Sequence, residues 1–89
     1  MASAITGKIS YHGGVAGTVD LDKEEKVLAI YAVDHSGGGS VQIDGGDAIP
    51  LVADVPFVDR NDSRTVEWIG VSIVFTGTDS YFVKTLKKQ

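Results

Sequence analysis

Runs of β-branched and aromatic residues in this chain are cut short by glycine, proline, asparagine or aspartate roughly every 8–12 positions, the signature of a β-sandwich or barrel. The clearest run is Gly70–Leu86, GVSIVFTGTDSYFVKTL, which reads as two strands, Val71–Thr76 and Ser80–Leu86, joined through Gly77, Thr78 and Asp79. Val, Ile and Phe fit a pleated, half-buried surface, and Gly77 supplies the positive φ that a tight turn demands. Alternation in the second strand puts Phe82, Lys84 and Leu86 on one face, and Tyr81, Val83 and Thr85 on the other.

The same reading extends along the chain. Ala4–Tyr11 alternates as a first strand, with Ile5 and Ile9 on one face, and His12-Gly13-Gly14 is expected to end it. Val15–Leu21 reads as a second short strand, and Asp22–Lys26 as an exposed charged turn. Val27–Val33, VLAIYAV, is apolar throughout and suits a strand covered on both faces. The rival is a helix over Lys23–Val33, since DKEEK and the alanines favour one; the concentration of Val, Ile and Tyr, with a glycine-rich break at once after it, favours strand. Val41–Asp44 alternates into Gly45-Gly46, a primed hairpin signal that would set Asp44 opposite Asp47. Ile49–Val55, bounded by Pro50 and Pro56, reads as an edge strand, because proline has no donor for a central ladder. Phe57–Arg64 reads as a polar turn, and Val66–Ile69 as a strand carrying the lone tryptophan, Trp68. The expectation is an all-β fold: one small antiparallel β-sandwich or barrel of about seven to eight short strands over residues 1–89.

With 89 residues and no cysteine, the chain has a thin core, no disulfide and no thiolate metal site. Its formal charge of −4 argues against a broad nucleic-acid footprint. Lys84, Lys87 and Lys88 gather near the C-terminus and read as a solvated group protecting a final strand. No apolar run approaches the roughly 20 residues of a membrane helix, and MASAITGKIS lacks the pattern of a signal peptide.

No constellation points to chemistry. His12 and His35 border glycine-rich loops, and the side chain of His35 should diverge from that of its neighbour Asp34. Asp59, Asn61, Asp62 and Ser63 offer oxygen ligands, as do Asp20 with Asp22 and Asp44 with Asp47. None has the glycine and closing glutamate of a calcium loop, and each reads better as a turn bonding its own backbone. Gly37-Gly38-Gly39 precedes a strand, not a helix, so it is no phosphate cradle. The reading therefore assigns no catalytic residue, no metal and no cofactor. Seven aromatics are spread along the chain and are assigned mainly to packing. Trp68, Tyr81, Phe82 and Phe57 are the candidates for an interface, Trp68 and Tyr81 as amphipathic rings on an outer face.

At Gly39–Pro50, GSVQIDGGDAIP, and Ile73–Lys84, IVFTGTDSYFVK, the chain resembles small all-β virion proteins of tailed bacteriophages. The resemblance covers the second half of the chain and carries no catalytic residues. It implies a particle component located in the virion: a capsid decoration protein that binds the outer head surface. The partners it implies are the major capsid protein or other virion proteins, and further copies of itself in a homo-oligomer such as a trimer, with neither nucleic acid nor membrane. The alternative is a tail-tip or fibre module for host or carbohydrate recognition, with Trp68, Tyr81 and the Gly37–Ser40 loop lining its site.

Overall fold

The computed structural model describes residues 7–60 and 69–88, and within them the chain is all β, as the punctuation predicts. The strands are β1 (Gly7–Gly14), β2 (Gly17–Asp20), β3 (Glu25–Val33), β4 (Ser40–Ile43), β5 (Ile49–Pro50), β6 (Phe57–Arg60), β7 (Ser72–Thr76) and β8 (Ser80–Lys88). Two four-stranded antiparallel sheets form, in the orders β1-β8-β3-β6 and β2-β7-β4-β5, and pack together as a small sandwich. β7 and β8 do not pair as the hairpin their short turn suggests: the turn through Gly77, Thr78 and Asp79 carries the chain from one sheet to the other, and each strand takes an inner position in its own sheet.

The core lies between the sheets. β3 and β8 supply Val27, Ile30, Ala32 and Val83 from one side; Val19, Val41, Ile73 and Phe75 come from the other, and Leu21, Leu51 and Val71 close the ends. Burying each Val, Leu, Ile or Phe of this set stabilises the fold by about 1.5–3 kcal/mol, the main favourable term for a chain without staples.

The strand reading of Val27–Val33 holds, and a bulge explains its unbroken apolar character. The pairing of β3 with β8 slips between Val27 and Ala29, which leaves Leu28 as an extra residue. The slip resets the parity of the strand, so Val27, Ile30 and Ala32 all turn inward and are fully buried.

Several local expectations are corrected. β1 runs on through His12, Gly13 and Gly14, because the nine-residue β8 offers a continuous ladder beside it. Ile9 lies on the outer face, not in the core, and residue 5 is outside the described residues. The β4–β5 turn is centred one residue earlier than the two glycines suggest. Asp44 (φ 52°) and Gly45 (φ 72°) are its central pair, closed by the Gly46 amide donating to the Ile43 carbonyl at 2.9 Å. Positive φ at both positions is the type I′ pattern, in which Asp-Gly is as good as Gly-Gly. Asp44 thus sits in the turn and does not face Asp47 across a ladder. β5 is at an edge, as its proline requires, but lasts only two residues before Leu51–Pro56 leaves the sheet.

The largest correction is at residues 57–60. They were expected to open a polar turn; instead they form the edge strand β6, with Ala29, Ile30, Tyr31 and Ala32 of β3 opposite Arg60, Asp59, Val58 and Phe57. Tertiary pairing with a long neighbour overrides the poor strand propensity of Asp59. Of the expected strand Val66–Ile69, only Ile69 is described. It makes a single bridge to Lys26.

Candidate interaction surface

The outer faces of the two sheets differ in character. On the sheet formed by β2, β7, β4 and β5 the outward positions are Thr18, Val74 and Gln42 in one row and Asp20 and Ser72 in the next. Ser72 donates to Asp20 at 2.5 Å, and the Gln42 amide donates to the Gly46 carbonyl at 2.8 Å. This is an ordinary solvated face.

On the other sheet the outward rows are apolar and cationic. Strand register aligns Ile9, Leu86 and Lys26; then Tyr11, Lys84, Ala29 and Arg60; then Gly13, Phe82, Tyr31 and Val58. Tyr11 is 64% exposed, Val58 54%, Ile9 46% and Phe82 40%. Phe82 is the hub: its ring stacks on Tyr31 with centroids 5.0 Å apart and meets Tyr11 edge-on at 6.2 Å. Among the described residues no carboxylate projects from this face. Glu25 is buried, and Asp59 pairs in register with the fully buried Ile30, so both belong to the inner side. Isolated exposed apolar residues need no explanation, but a contiguous aromatic strip does.

The four interface candidates separate. Phe82 lies at the centre of this strip. Tyr81 points the other way: its ring stacks on Phe75 of the opposite sheet at 4.0 Å and 8°, and so bridges the sheets from within. Phe57 is half buried, packs against the core, and lines a shallow apolar groove with Pro50, Leu51, Val52, Val55 and Pro56. Trp68 lies outside the described residues. Tyr11, Tyr31, Val58 and Arg60 were not singled out from the sequence. Val58 and Arg60 alternate with Phe57 and Asp59, a signal hidden by the reading of that stretch as a turn.

The two histidines acquire partners that adjacency in sequence does not suggest. His12 bonds Glu25 at 2.5 Å, and Glu25 also accepts from the Thr85 hydroxyl at 2.5 Å and the Asp22 amide at 3.3 Å. Burial pushes the Glu25 carboxyl upward, but the bonds from Thr85, His12 and the Asp22 amide together outweigh it and hold the group below its ordinary 4.5. Beside it Asp22 pairs with Lys87, which lowers the Asp22 carboxyl and raises the Lys87 ammonium.

At the other end of the sandwich, His35 bonds Asp54 at 2.8 Å, and its backbone amide donates to Asp79 at 2.6 Å. The Asp54 bond, helped by the charges of Asp79, Asp54 and Asp34, raises the His35 imidazole above its ordinary 6.5. Asp34, as expected, does not pair with the His35 ring. Its carboxylate is buried and accepts from the Ser36 and Gly39 amides at 3.0 and 2.7 Å, tying down the glycine loop. His35 and Asp54 stand on open surface, with side chains 64% and 73% exposed, so no cleft desolvates a substrate there. No cluster of three or more histidine or carboxylate ligands suited to a metal occurs among the described residues. Of the calcium candidates, Asn61, Asp62 and Ser63 lie outside them, Asp20 is engaged by Ser72 and Asp22 by Lys87.

No family model matches this chain, no curated protein matches it, and no solved structure matches it.

Proposed function

We propose that this protein is a non-enzymatic structural component of a tailed-phage particle, a decoration protein that docks on the outer surface of the head and reinforces it. The observation that carries a docking role is the strip Tyr11–Phe82–Tyr31–Val58 across one whole sheet face. The phage assignment rests on the resemblance of Gly39–Pro50 and Ile73–Lys84 to small virion proteins, to which the comparisons add nothing. A cysteine-free β-sandwich with one sticky face suits repeated attachment to a symmetric shell, where many weak contacts sum through effective concentration. The sugar-binding alternative is weakened because Tyr81, one of its two aromatic platforms, is turned inward onto Phe75.

The test is quantitative gel analysis of purified particles from the genome that encodes this chain. The expected result is a copy number tied to the symmetry of the head. Absence from the particle overturns the reading, and a handful of copies confined to the tail favours the recognition module.

A further inference from the structure

The chemistry of the exposed sheet face narrows what can cover it. The charged groups at its centre among the described residues are Lys84 and Arg60, both cationic, in a chain whose formal charge is −4. The described acidic groups lie elsewhere: Asp20 on the opposite sheet and Asp44 and Asp47 in its β4–β5 connection, Asp22, Glu24 and Glu25 in and beside the turn before β3, Asp34, Asp54 and Asp79 at the other end, and Asp59 on the inner side of β6. A face with apolar centre and single-sign charge selects a partner of opposite sign, through steering and through the penalty on like charge.

Three kinds of occupant fit apolar, cationic surface, and the geometry separates them. Nucleic-acid platforms lay aromatic rings flat so that bases stack on their faces. Here Tyr31 and Phe82 are directly opposite in the ladder, and their rings stack on each other at 5.0 Å and 19°. That separation is close to the roughly 4.8 Å between neighbouring strands, so the rings stand up from the sheet and offer edges outward. A second copy docked face to face would set Lys84 and Arg60 against the same cations. The face also spans only four strands, on the order of 400 Å², about half of what each partner buries in a standard stable complex. A contact of that size holds through repetition, not as an isolated pair.

We propose that this face recognises a carboxylate-bearing protein surface presented in a repeating array, with Phe82 as the apolar anchor and Lys84 and Arg60 pairing the partner's acidic side chains. This deepens the structural-protein reading and depends on it only for the identity of the array.

The first test needs no particle. The full chain, isotope-labelled, is titrated by NMR with a Leu–Glu repeat peptide, a Leu–Lys repeat peptide and an oligothymidylate, and is separately followed over a concentration series. The Leu–Glu peptide is expected to move the ring signals of Tyr11, Tyr31 and Phe82. Raising salt from about 0.05 to about 0.5 M should weaken that binding roughly tenfold. Lys84→Glu with Arg60→Glu should abolish it, and the milder Lys84→Gln with Arg60→Gln serves if the reversal fails to fold. Equal response to the Leu–Lys peptide, stronger response to the oligothymidylate, ring shifts with chain concentration alone, or no response each overturns the proposal.

The second test adds the purified chain to particles assembled without it. Adsorption by the wild type but not by the double variant supports both readings. Equal adsorption by both overturns the role of this face and leaves the virion reading standing. A positive peptide titration with no adsorption to particles leaves the face as assigned and removes the virion reading.

Discussion

At the scale of single residues, the structure concentrates its electrostatic commitments in Glu25. This carboxylate is 3% exposed, yet it has four polar neighbours in reach: His12, Thr85, the Asp22 amide and, through the Coulomb field alone, Lys87. Its folded-state affinity for protons is depressed, so its contribution to stability is fully present above about pH 4.5 and is lost as pH falls below that value. Asp22, also depressed, loses its contribution in the same direction. Glu25→Gln keeps the shape but weakens the charge-assisted bonds, and is expected to cost about 1–3 kcal/mol at neutral pH. Urea denaturation across a pH series should show the variant with a shallower acid limb than the wild type; parallel curves would mean Glu25 is not the group responsible. His35 works in the opposite sense. Its raised affinity means that the Asp54 contact stabilises below about pH 6.5 and fades as pH rises through the folded-state value. Asp54→Asn should return the His35 titration, followed by its ring protons in NMR, toward 6.5.

At the scale of elements, the glycine loop between β3 and β4 is held by close approach as much as by backbone freedom. A Cβ on Gly39 would sit 2.6 Å from the Thr76 carbonyl oxygen and 2.7 Å from the Asp34 carboxylate that its own amide binds. Gly38, by contrast, has open space around it and a φ of +85°. Gly39→Ala is therefore expected to cost about 3 kcal/mol by collision, and Gly38→Ala about 1 kcal/mol by conformation, both read from denaturation midpoints. The loop looked merely flexible in the sequence because its anchor, the buried Asp34, could be identified only once β7 and β8 were in place beside it. Other elements were legible for good reason. The strands β7 and β8 declare themselves by alternation and the turn between them by Gly77, but not their placement in different sheets, since a short turn reads the same whether it closes a hairpin or crosses the sandwich; the edge position of β5 is declared by Pro50. β6 was hidden because pairing with β3, not its own composition, makes it a strand. The bulge at Leu28 was hidden because an apolar run gives no sign of where parity slips. The candidate surface suffered from both gaps: β8 disclosed Phe82 and Lys84 in one stripe, but Tyr31 lies beyond the slip and Val58 on the unread strand.

At the scale of the whole molecule, the two sheets make opposite uses of the same residue type. Phe75 and Phe82 lie on consecutive strands, β7 and β8, one in each sheet, and Phe75 is 2% exposed between the sheets while Phe82 is 40% exposed on the outer face. Phe75 holds the layers together, since its ring stacks on Tyr81 across the interior of a close-packed core. Removing it leaves a cavity that rigid strands on both sides cannot close. Phe75→Ala is expected to cost about 3–5 kcal/mol, enough for a small domain of this kind to lose fixed packing. Phe82→Ala removes only edge and stacking contacts with Tyr11 and Tyr31, and should cost about 1 kcal/mol. Near-UV circular dichroism and thermal midpoints separate the two. The Phe75 variant should lose its aromatic signal and melt far lower. The Phe82 variant should melt close to the wild type, yet lose whatever the exposed face binds. Near-equal destabilisation would mean that the outer strip is part of the stabilising core, and that a chain with this little interior needs both of its apolar faces simply to remain folded.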